Sequence, residues 1–535
     1  MLQSTKSDVQ MIKVINIKMS VRVLRSKLTP ELKAQIIKDL NIMDKNIFSN
    51  DDQDNQFPFY VIEGEYVRLP YYYTYHLTNQ QFPNKYKYYD KVPEFTMSPK
   101  FSWRPYQLDA MKMGVAHSSK TGTCFFNVFC GFGKTLLGGY RCMMASRQGL
   151  ISLIVCPLVA ILNSWVETFR EFTTAKVIVW EPGTDIPADA QVILCMKSAV
   201  EKLPPNIASN IGHLVVDEAH MFCTQGSVNL LLRTEPLLIT CLTATYERDN
   251  GAQRMIDLLV GPVRIHCKST KPFFVFQYMT GIRPDSSKFE YTSKGVQHIS
   301  ILKALDNING RTEMILNIIM NNLTQKIMVL TYRKEQVYAL GEKMKARLAQ
   351  ANISDIKVSC YTGDETKKYE DANILFCTLS KGGTGFDEIG SSKSWNGRRI
   401  DMLILASSTK KIEQPNGRAQ RSELPIIVDI IDNQKNMISH SKEREKWYRS
   451  RNALIIPTGP EESRPYKEIV QSRWEEYIKV KEKSENIIEE IHNKFWLNIT
   501  KKLVEQEEQA QINSGLDQYA QNFIHLMESQ NQDSD

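Results

Sequence analysis

From Phe101 onward the chain alternates short, predominantly apolar runs with helix-length segments of mixed polarity. This is the pattern of strands buried on both faces of a parallel sheet and joined by covering helices. Six such runs come first: CFFNVFC, LISLIVCP, KVIVW, QVILCM, HLVVDEAH and LLITCLTAT. A second series begins near residue 305 with KIMVLTY, IKVSCYTG, NILFCTLS, RIDMLILAS and PIIVDII. The fold expected is α/β, with two domains in tandem joined across the Pro- and Ser-containing stretch between Gly281 and Asp306.

Residues 1–98 read differently. An alternating stretch (MIKVINIKMSVRVL), a helix-like one (TPELKAQIIKDLNI) and a polar break (SNDDQDNQ) predict a small α+β accessory domain. Beyond Asp432 the chain turns helical and charged. Glu485 to Val504 places Ile488, Ile491, Phe495, Ile499 and Leu503 on one face of an amphipathic helix, either packed on the preceding domain or offered to a partner. The final ESQNQDSD reads as a disordered tail. The expected organisation is an N-terminal domain over 1–98, α/β domains over 99–283 and 284–455, and a helical extension over 456–535.

No apolar run approaches the roughly 20 residues of a membrane span. The longest candidate, Ile151 to Leu162, is broken by Pro157, and the polar start from Leu2 to Gln10 lacks the apolar heart of a secretory signal. A soluble intracellular protein with no membrane partner is expected. Ten cysteines form no CxxC pair, which argues against a zinc ribbon or an iron–sulfur site. Lys and Arg number 67 against 60 Asp and Glu, a net charge of +7 that suits a polyanionic partner without demonstrating one.

Three motifs carry chemistry. Gly131, Phe132, Gly133, Lys134 and Thr135 stand between an apolar run and a helix-like segment. A strand, a glycine-rich turn and a helix start make a phosphate cradle, with Lys134 reaching the β- and γ-phosphates and Thr135 holding Mg²⁺. The match to GxxxxGK[ST] is partial, because Val128 occupies the first glycine position. Asp217, Glu218, Ala219 and His220 follow HLVV, at the strand end where parallel sheets bind ligands. Asp217 is expected to hold Mg²⁺ and Glu218 to deprotonate the attacking water. In the third motif, Gln414 to Arg421, Arg418 and Arg421 stand three residues apart on one helix face. Arginines used in this way on a γ-phosphoryl group raise transfer rates by roughly 10³ to 10⁵.

In this order the elements resemble the superfamily 2 DEAH-type helicases and translocases, from about Phe101 to Asp432. RPYQ (Arg104 to Gln107) resembles the adenine-contacting element of that superfamily, GFGKT motif I, VCPLVAILNSW motif Ia, DEAH motif II and Thr243-Ala244-Thr245 motif III. KIMVLTYR resembles motif IV, TLSKGGTGFD motif V and QPNGRAQR motif VI. The resemblance implies two RecA-like domains with ATP in the cleft between them. Arg104, Gln107, Gly131, Gly133, Lys134, Thr135, Asp217, His220 and Asp387 would serve the nucleotide, with Mg²⁺ on Thr135 and Asp217. Glu218, Gln414, Arg418 and Arg421 would be catalytic, and Ser164, Thr331 and Thr378 would hold nucleic-acid phosphates. Within the superfamily the chain is similar to the group of the poxvirus transcript-release helicase, the phage recombination helicase and the excision-repair translocase, partly through EREKWYRSRN after motif VI.

The function implied is a 3′ to 5′ DNA helicase or translocase in transcription, recombination or repair. An RNA helicase, or an RNA polymerase subunit using the fold as a scaffold, are the alternatives. A viral-type RNA polymerase is the implied partner, and the cytoplasm or a virion the implied location. A tyrosine- and lysine-rich cluster, Tyr71, Tyr72, Tyr73, Tyr75, Lys85, Tyr86, Lys87, Tyr88 and Tyr89, is either structural or a base-stacking surface.

Overall fold

A computed structural model describes residues 21–44, 56–77, 82–84, 87–246, 251–267, 271–292, 295–363, 368–383, 386, 388–410, 412–419, 421–480 and 482–483. The helix expected at Glu485 to Val504 and the tail lie outside them. The chain divides into two compact units: among the described residues, one holds those up to Val128 and Gly133–Cys267, and the other holds Phe129–Phe132 and those after Cys267.

Five short strands open the first unit. They are β1 (Arg22–Leu24), β2 (Asn41–Met43), β3 (Gln56–Pro58), β4 (Val61–Glu63) and β5 (Tyr66–Arg68), paired as an antiparallel sheet β1-β5-β4 and an antiparallel pair β2-β3. The apolar runs then form β6 (Thr123–Val128), β7 (Ile151–Cys156), β8 (Val177–Trp180), β9 (Val192–Met196), β10 (Ile211–Asp217) and β11 (Leu238–Thr243), followed by a short β12 (Ile265–Cys267). They make a seven-stranded sheet ordered β12-β6-β11-β10-β7-β9-β8, every pairing parallel. All the strand C-termini therefore open on one edge. β10 is central and buried at all seven positions, so its sequence shows no polar alternation; its polar His213 is bonded to Ser152 and Thr240, and an apolar Leu214-Val215-Val216 leads to Asp217.

The second unit repeats the plan. β13 (Phe273–Met279) precedes a two-residue hairpin pair, β14 (Tyr291–Thr292) and β15 (Gly295–Val296), and then come β16 (Ile327–Thr331), β17 (Val358–Tyr361), β18 (Ile374–Thr378), β19 (Met402–Leu405), β20 (Ile426–Ile431) and β21 (Ala453–Thr458). The sheet order is β17-β18-β16-β19-β20-β13-β21, again all parallel. The architecture is two tandem RecA-like domains, parallel sheets flanked by helices.

Two boundaries differ from expectation. β13 pairs with β20 and β21, so the second domain begins before Phe273 rather than at 284. At its other end β21 crosses the expected boundary after 455. Pro457 disguises this strand in the sequence, but an edge strand needs no ladder donor on its outer side. The first part of the C-terminal extension also packs into this domain: Tyr466 stacks on Phe276 at 4.1 Å between ring centres, and Tyr477 on Phe274 at 5.5 Å.

Residues 21–98 are not a separate body. Val21, Ile42, Phe57, Phe59 and Tyr71 belong to the same continuous apolar core as Phe125, Leu214 and Ile239 of the first sheet. Arg68 Nη1 donates to the carbonyls of Leu232 and Arg233, at 3.1 and 2.7 Å. The tyrosine run forms a helix, Tyr71–Leu77, and its hydroxyls are spent inside the protein. Tyr71 donates to Leu237 O, Tyr73 to Asp39 and Tyr75 to Lys120 O, while Tyr89 beyond the helix donates to Glu235 O. The structural role of these four tyrosines follows from that bonding; Lys85 and Tyr86 lie outside the described residues. Removing residues 1–98 is expected to expose the core beneath them and abolish cooperative unfolding of the first domain. A truncated chain that melts in one sharp step at the parent midpoint, by circular dichroism, would refute the shared core.

Candidate nucleotide and nucleic-acid sites

The glycine turn stands at the C-terminal end of β6, ahead of the helix Lys134–Arg147. Gly131 and Gly133 have φ of +89° and +100°, a region that residues with a Cβ rarely enter. A Cβ on Gly133 would also lie 2.4 Å from Gln107 Nε2. Gln107 itself is buried in the first turn of the helix Pro105–Thr121, where its Oε1 accepts the Arg104 backbone N–H at 3.0 Å. The two N-terminal elements of the expected site therefore meet, with the Gln107 amide against the turn. Exposed Arg104 donates to the Tyr106 hydroxyl at 2.8 Å. Thr135 is half-buried in the first helical turn, beside Lys134.

Lys134 Nζ lies 3.1 Å from Glu218 Oε1. Glu218 occupies the left-handed region at φ 47°, a conformation costing a non-glycine residue about 1–3 kcal/mol. That turn lets consecutive carboxylates leave the end of β10 in different directions. Asp217 is buried, accepting the indole N–H of Trp165 and the backbone N–H of Glu218, each at 2.8 Å. Burial first, and then the charge of Glu218, push its pKa up to about 6; Lys134 and the two hydrogen bonds oppose the rise. A carboxylate so placed is relieved by a cation, and the hydroxyl of Thr135, next to Lys134 in sequence, is a hard oxygen donor that would hold Mg²⁺ with it and with phosphate oxygens.

His220 turns toward the neighbouring strand. Its Nδ1 lies 2.8 Å from Thr243 Oγ1 and 3.4 Å from Glu218 Oε2. Thr243 Oγ1 donates to Thr245 O at 2.8 Å and accepts the Thr245 N–H at 3.1 Å. The structure thus gives His220 a bonding partner in Thr243-Ala244-Thr245, linking the Glu218 carboxylate to the loop after β11.

Trp165 was not anticipated as a site residue. Spaced four residues from Ile161 and from Phe169, it reads as one more core position of the helix Val159–Phe172, and in part it is, stacking on Phe169 at 5.9 Å. The available signal was Gly138: a Cβ there would stand 2.4 Å from the Trp165 ring, so the helix behind the glycine turn is cut away to admit the indole. Ser164, beside it, is half-buried, and its carbonyl accepts the Thr168 hydroxyl at 2.8 Å.

Residues 100–248 match the family model of the type III restriction enzyme res subunit. Relatives extend the similarity further. “Putative helicase 161L” of Invertebrate iridescent virus 6 is 23% identical over 389 residues, 68% of this chain and 85% of that one. “Putative ATP-dependent RNA helicase L396” of Acanthamoeba polyphaga mimivirus is 22% identical over 420 residues, 75% and 77% of the two chains. DNA 3′-5′ translocase XPB2 of Sulfurisphaera tokodaii is 27% identical over 175 residues, 32% of this chain and 38% of that one. Over about two thirds or more of its length the chain is therefore similar to viral proteins named as putative helicases. Among the described residues no helix is long and apolar enough to cross a membrane.

In the second domain, Gln414 and Arg418 lie on the helix Glu413–Ala419, their side chains outside the described residues, as is all of Asp387. Arg421 follows in a turn, half-buried, and its charge reaches Glu388. Two residues expected to contact phosphates use their hydroxyls within the protein. Thr331 is wholly buried, its hydroxyl donated to Arg333 O at 3.0 Å. Thr378 is also buried and shares its hydroxyl with Ser380 at 3.1 Å. Both close turns at strand ends, and the exposed group beside Thr331 is Tyr332.

Two buried ion pairs hold these strand ends. Arg444, within EREKWYRSRN, points inward onto Asp429 of β20 at 2.7 Å. Arg311 grips Asp432 at 2.9 Å and Ala406 O at 2.6 Å. Removing one partner of such a pair costs about 3–5 kcal/mol.

For Trp165→Phe the packing is retained and the donor lost, a bond to a carboxylate worth roughly 1.5–3 kcal/mol. The Mg²⁺ concentration for half-maximal ATP turnover is expected to rise several-fold, with Mg²⁺-free binding of a fluorescent nucleotide little changed. Equal loss of both would reduce Trp165 to a packing residue.

Proposed function

We propose that this chain is an ATP-driven motor on nucleic acid, a DNA helicase or translocase moving 3′ to 5′. The observation that carries the proposal is the Lys134–Glu218 ion pair at the head of β10, beside buried Asp217 and joined through His220 to Thr243. A lysine at a glycine turn and a strand-end carboxylate are the two groups that phosphate binding and water activation need. Bound Mg²⁺ and ATP supply the electrophilic phosphoryl group. Lys134 exchanges Glu218 for phosphate oxygen, which leaves Glu218 to orient a water and take its proton. The backbone amides from Gly131 to Thr135 hold the phosphate chain, and Gln107, with Arg104 nearby, serves the base. Displacement at Glu218 then alters the His220–Thr243–Thr245 link, giving the loop after β11 a way to sense the phosphate state. Gln414, Arg418 and Arg421 act on γ-phosphoryl charge, with Asp387 serving the nucleotide.

The DNA reading is supported by the name of the Sulfurisphaera relative. The mimivirus relative's name favours a second reading, an RNA helicase. Similarity to viral helicases supports the poxvirus-like group, with action in transcript release, recombination or repair, a viral-type RNA polymerase as partner, and a cytoplasmic replication compartment or a virion as the setting. ATP turnover measured with no nucleic acid, single-stranded DNA, duplex DNA and RNA tests the choice directly: DNA stimulation exceeding RNA stimulation is expected, and the reverse order would transfer the assignment to RNA.

Two substitutions test the chemistry. Glu218→Gln is expected to bind ATP and Mg²⁺ yet hydrolyse at least about a hundredfold more slowly, the scale of a lost general base, and to hold nucleic acid more tightly in ATP than the parent does. Turnover close to the parent's would remove Glu218 from catalysis. Arg421→Ala is expected to lower kcat by about a hundredfold or more with a smaller effect on ATP binding, and Arg421→Lys to restore little, because a point charge lacks the planar fork. If instead kcat held and only nucleic-acid affinity fell, Arg421 would be a backbone contact.

A further inference from the structure

The second sheet carries a basic groove that the motifs do not include. It opens where β13 and β20 end, has a volume of about 580 Å³, and is lined by Arg283, Phe289, Asn433, Gln434, Lys435 and Lys442, among others. Its two walls are tied together: Asn433 N–H donates to Ile282 O at 2.7 Å, and Thr280 Oγ1 donates to Asp432 Oδ1 at 2.9 Å. Beneath lies a small apolar cluster of Ile301, Leu302, Leu305 and Met437, against which Ile282 and Phe289 pack. The lining is therefore fixed by packing and hydrogen bonds on both sides.

Arg283, Lys435 and Lys442 are exposed and form no ion pair among the described residues. No carboxylate lines the groove. Nearby Asp285 holds the Ser287 N–H and hydroxyl, and Asp432 is buried on Arg311. Three uncompensated cations around hydroxyls (Ser286 and Ser439) and carboxamides form a surface for a chain of phosphates. Because the sheet is parallel throughout, this groove shares its edge with Thr378 at the end of β18 and Thr331 at the end of β16. From β18 to β13 there are four strand intervals, about 19 Å at roughly 4.8 Å each, or some six stacked nucleotides at about 3.4 Å per step.

We infer that the groove formed by Arg283, Lys435 and Lys442 binds the phosphate backbone of the nucleic-acid strand that the motor tracks. It extends the path on this domain from the β16 and β18 ends across the sheet edge. The inference rests on the proposed nucleic-acid function and adds a site to it. The contact is sequence-independent, because it reaches phosphates and no base edge.

The test measures binding of a 20-nucleotide single strand, as DNA and as RNA, by fluorescence anisotropy across a salt series. The parent chain is compared with Arg283→Ala/Lys435→Ala/Lys442→Ala and with a charge-matched control, Lys343→Ala/Lys345→Ala/Lys467→Ala, on exposed helix positions elsewhere in the same domain. On a single strand each phosphate contact contributes about 0.7 to the slope of log K against log salt. The groove variant is expected to lose about 2 from the slope and roughly tenfold or more in low-salt affinity, with nucleotide binding and the thermal midpoint unchanged. The control is expected to keep the parent slope. Parent-like binding by the groove variant, or equal losses in both variants, would overturn the inference. If the triple variant does not fold, Lys435→Gln/Lys442→Gln reads the same slope, with an expected loss of about 1.4. A parent chain that binds neither strand would instead refute the nucleic-acid function itself.

Discussion

Asp217 has to remain an anion inside protein, at the end of a strand that no water reaches. Its neighbours are arranged around that requirement. An indole N–H and a backbone N–H satisfy its oxygens, a lysine supplies countercharge, and the next residue takes a strained conformation that turns its own carboxylate aside. Gly138 is small because the indole has to lie there, and the glycine turn holds Lys134 in range. A site arranged in this way is costly in stability, and the cost is carried by the fully buried strands around it.

The second domain meets a similar requirement with arginine. Asp429 within β20 and Asp432 just beyond it are buried, and each receives a guanidinium, Asp429 from Arg444 on the next helix and Asp432 from Arg311, 121 residues away. These pairs join the loops that follow β13, β19 and β20, so the edge that carries motif V and motif VI residues rests on a braced framework. Bidentate geometry gives that bracing a direction that a purely apolar contact would not supply.

The fold was legible because parallel strands buried on both faces leave an unmistakable apolar run; all eleven runs read from the sequence became strands. Three strands were not legible, two of them at sheet edges. β12 has three residues, β21 contains a proline that only an edge tolerates, and β13 lies in what read as the approach to a linker. The chemical groups of the first domain were legible from residue type and order, since Lys134, Asp217 and Glu218 do converge. Their supports were not, because an inward-facing Trp165 and an Arg444 inside a charged helix look like ordinary core and ordinary surface until a partner from elsewhere in the chain is known. The hydroxyl partners of Thr331 and Thr378 were hidden for the same reason: a threonine at a strand end can serve its own turn as readily as a ligand.

The core shared between the N-terminal segment and the first sheet also sets a timetable. Arg68 is 165 residues from its acceptor at Arg233, and Tyr71 is 166 from Leu237. A ribosome adding about 5–20 residues per second takes roughly 10–30 s to cover that distance. Throughout that interval Phe57, Phe59 and Tyr71 have emerged without the surface that covers them. The nascent chain is thus dependent on chaperone protection early and self-sufficient late, and any pause in translation before the β11 codons prolongs its most aggregation-prone stage.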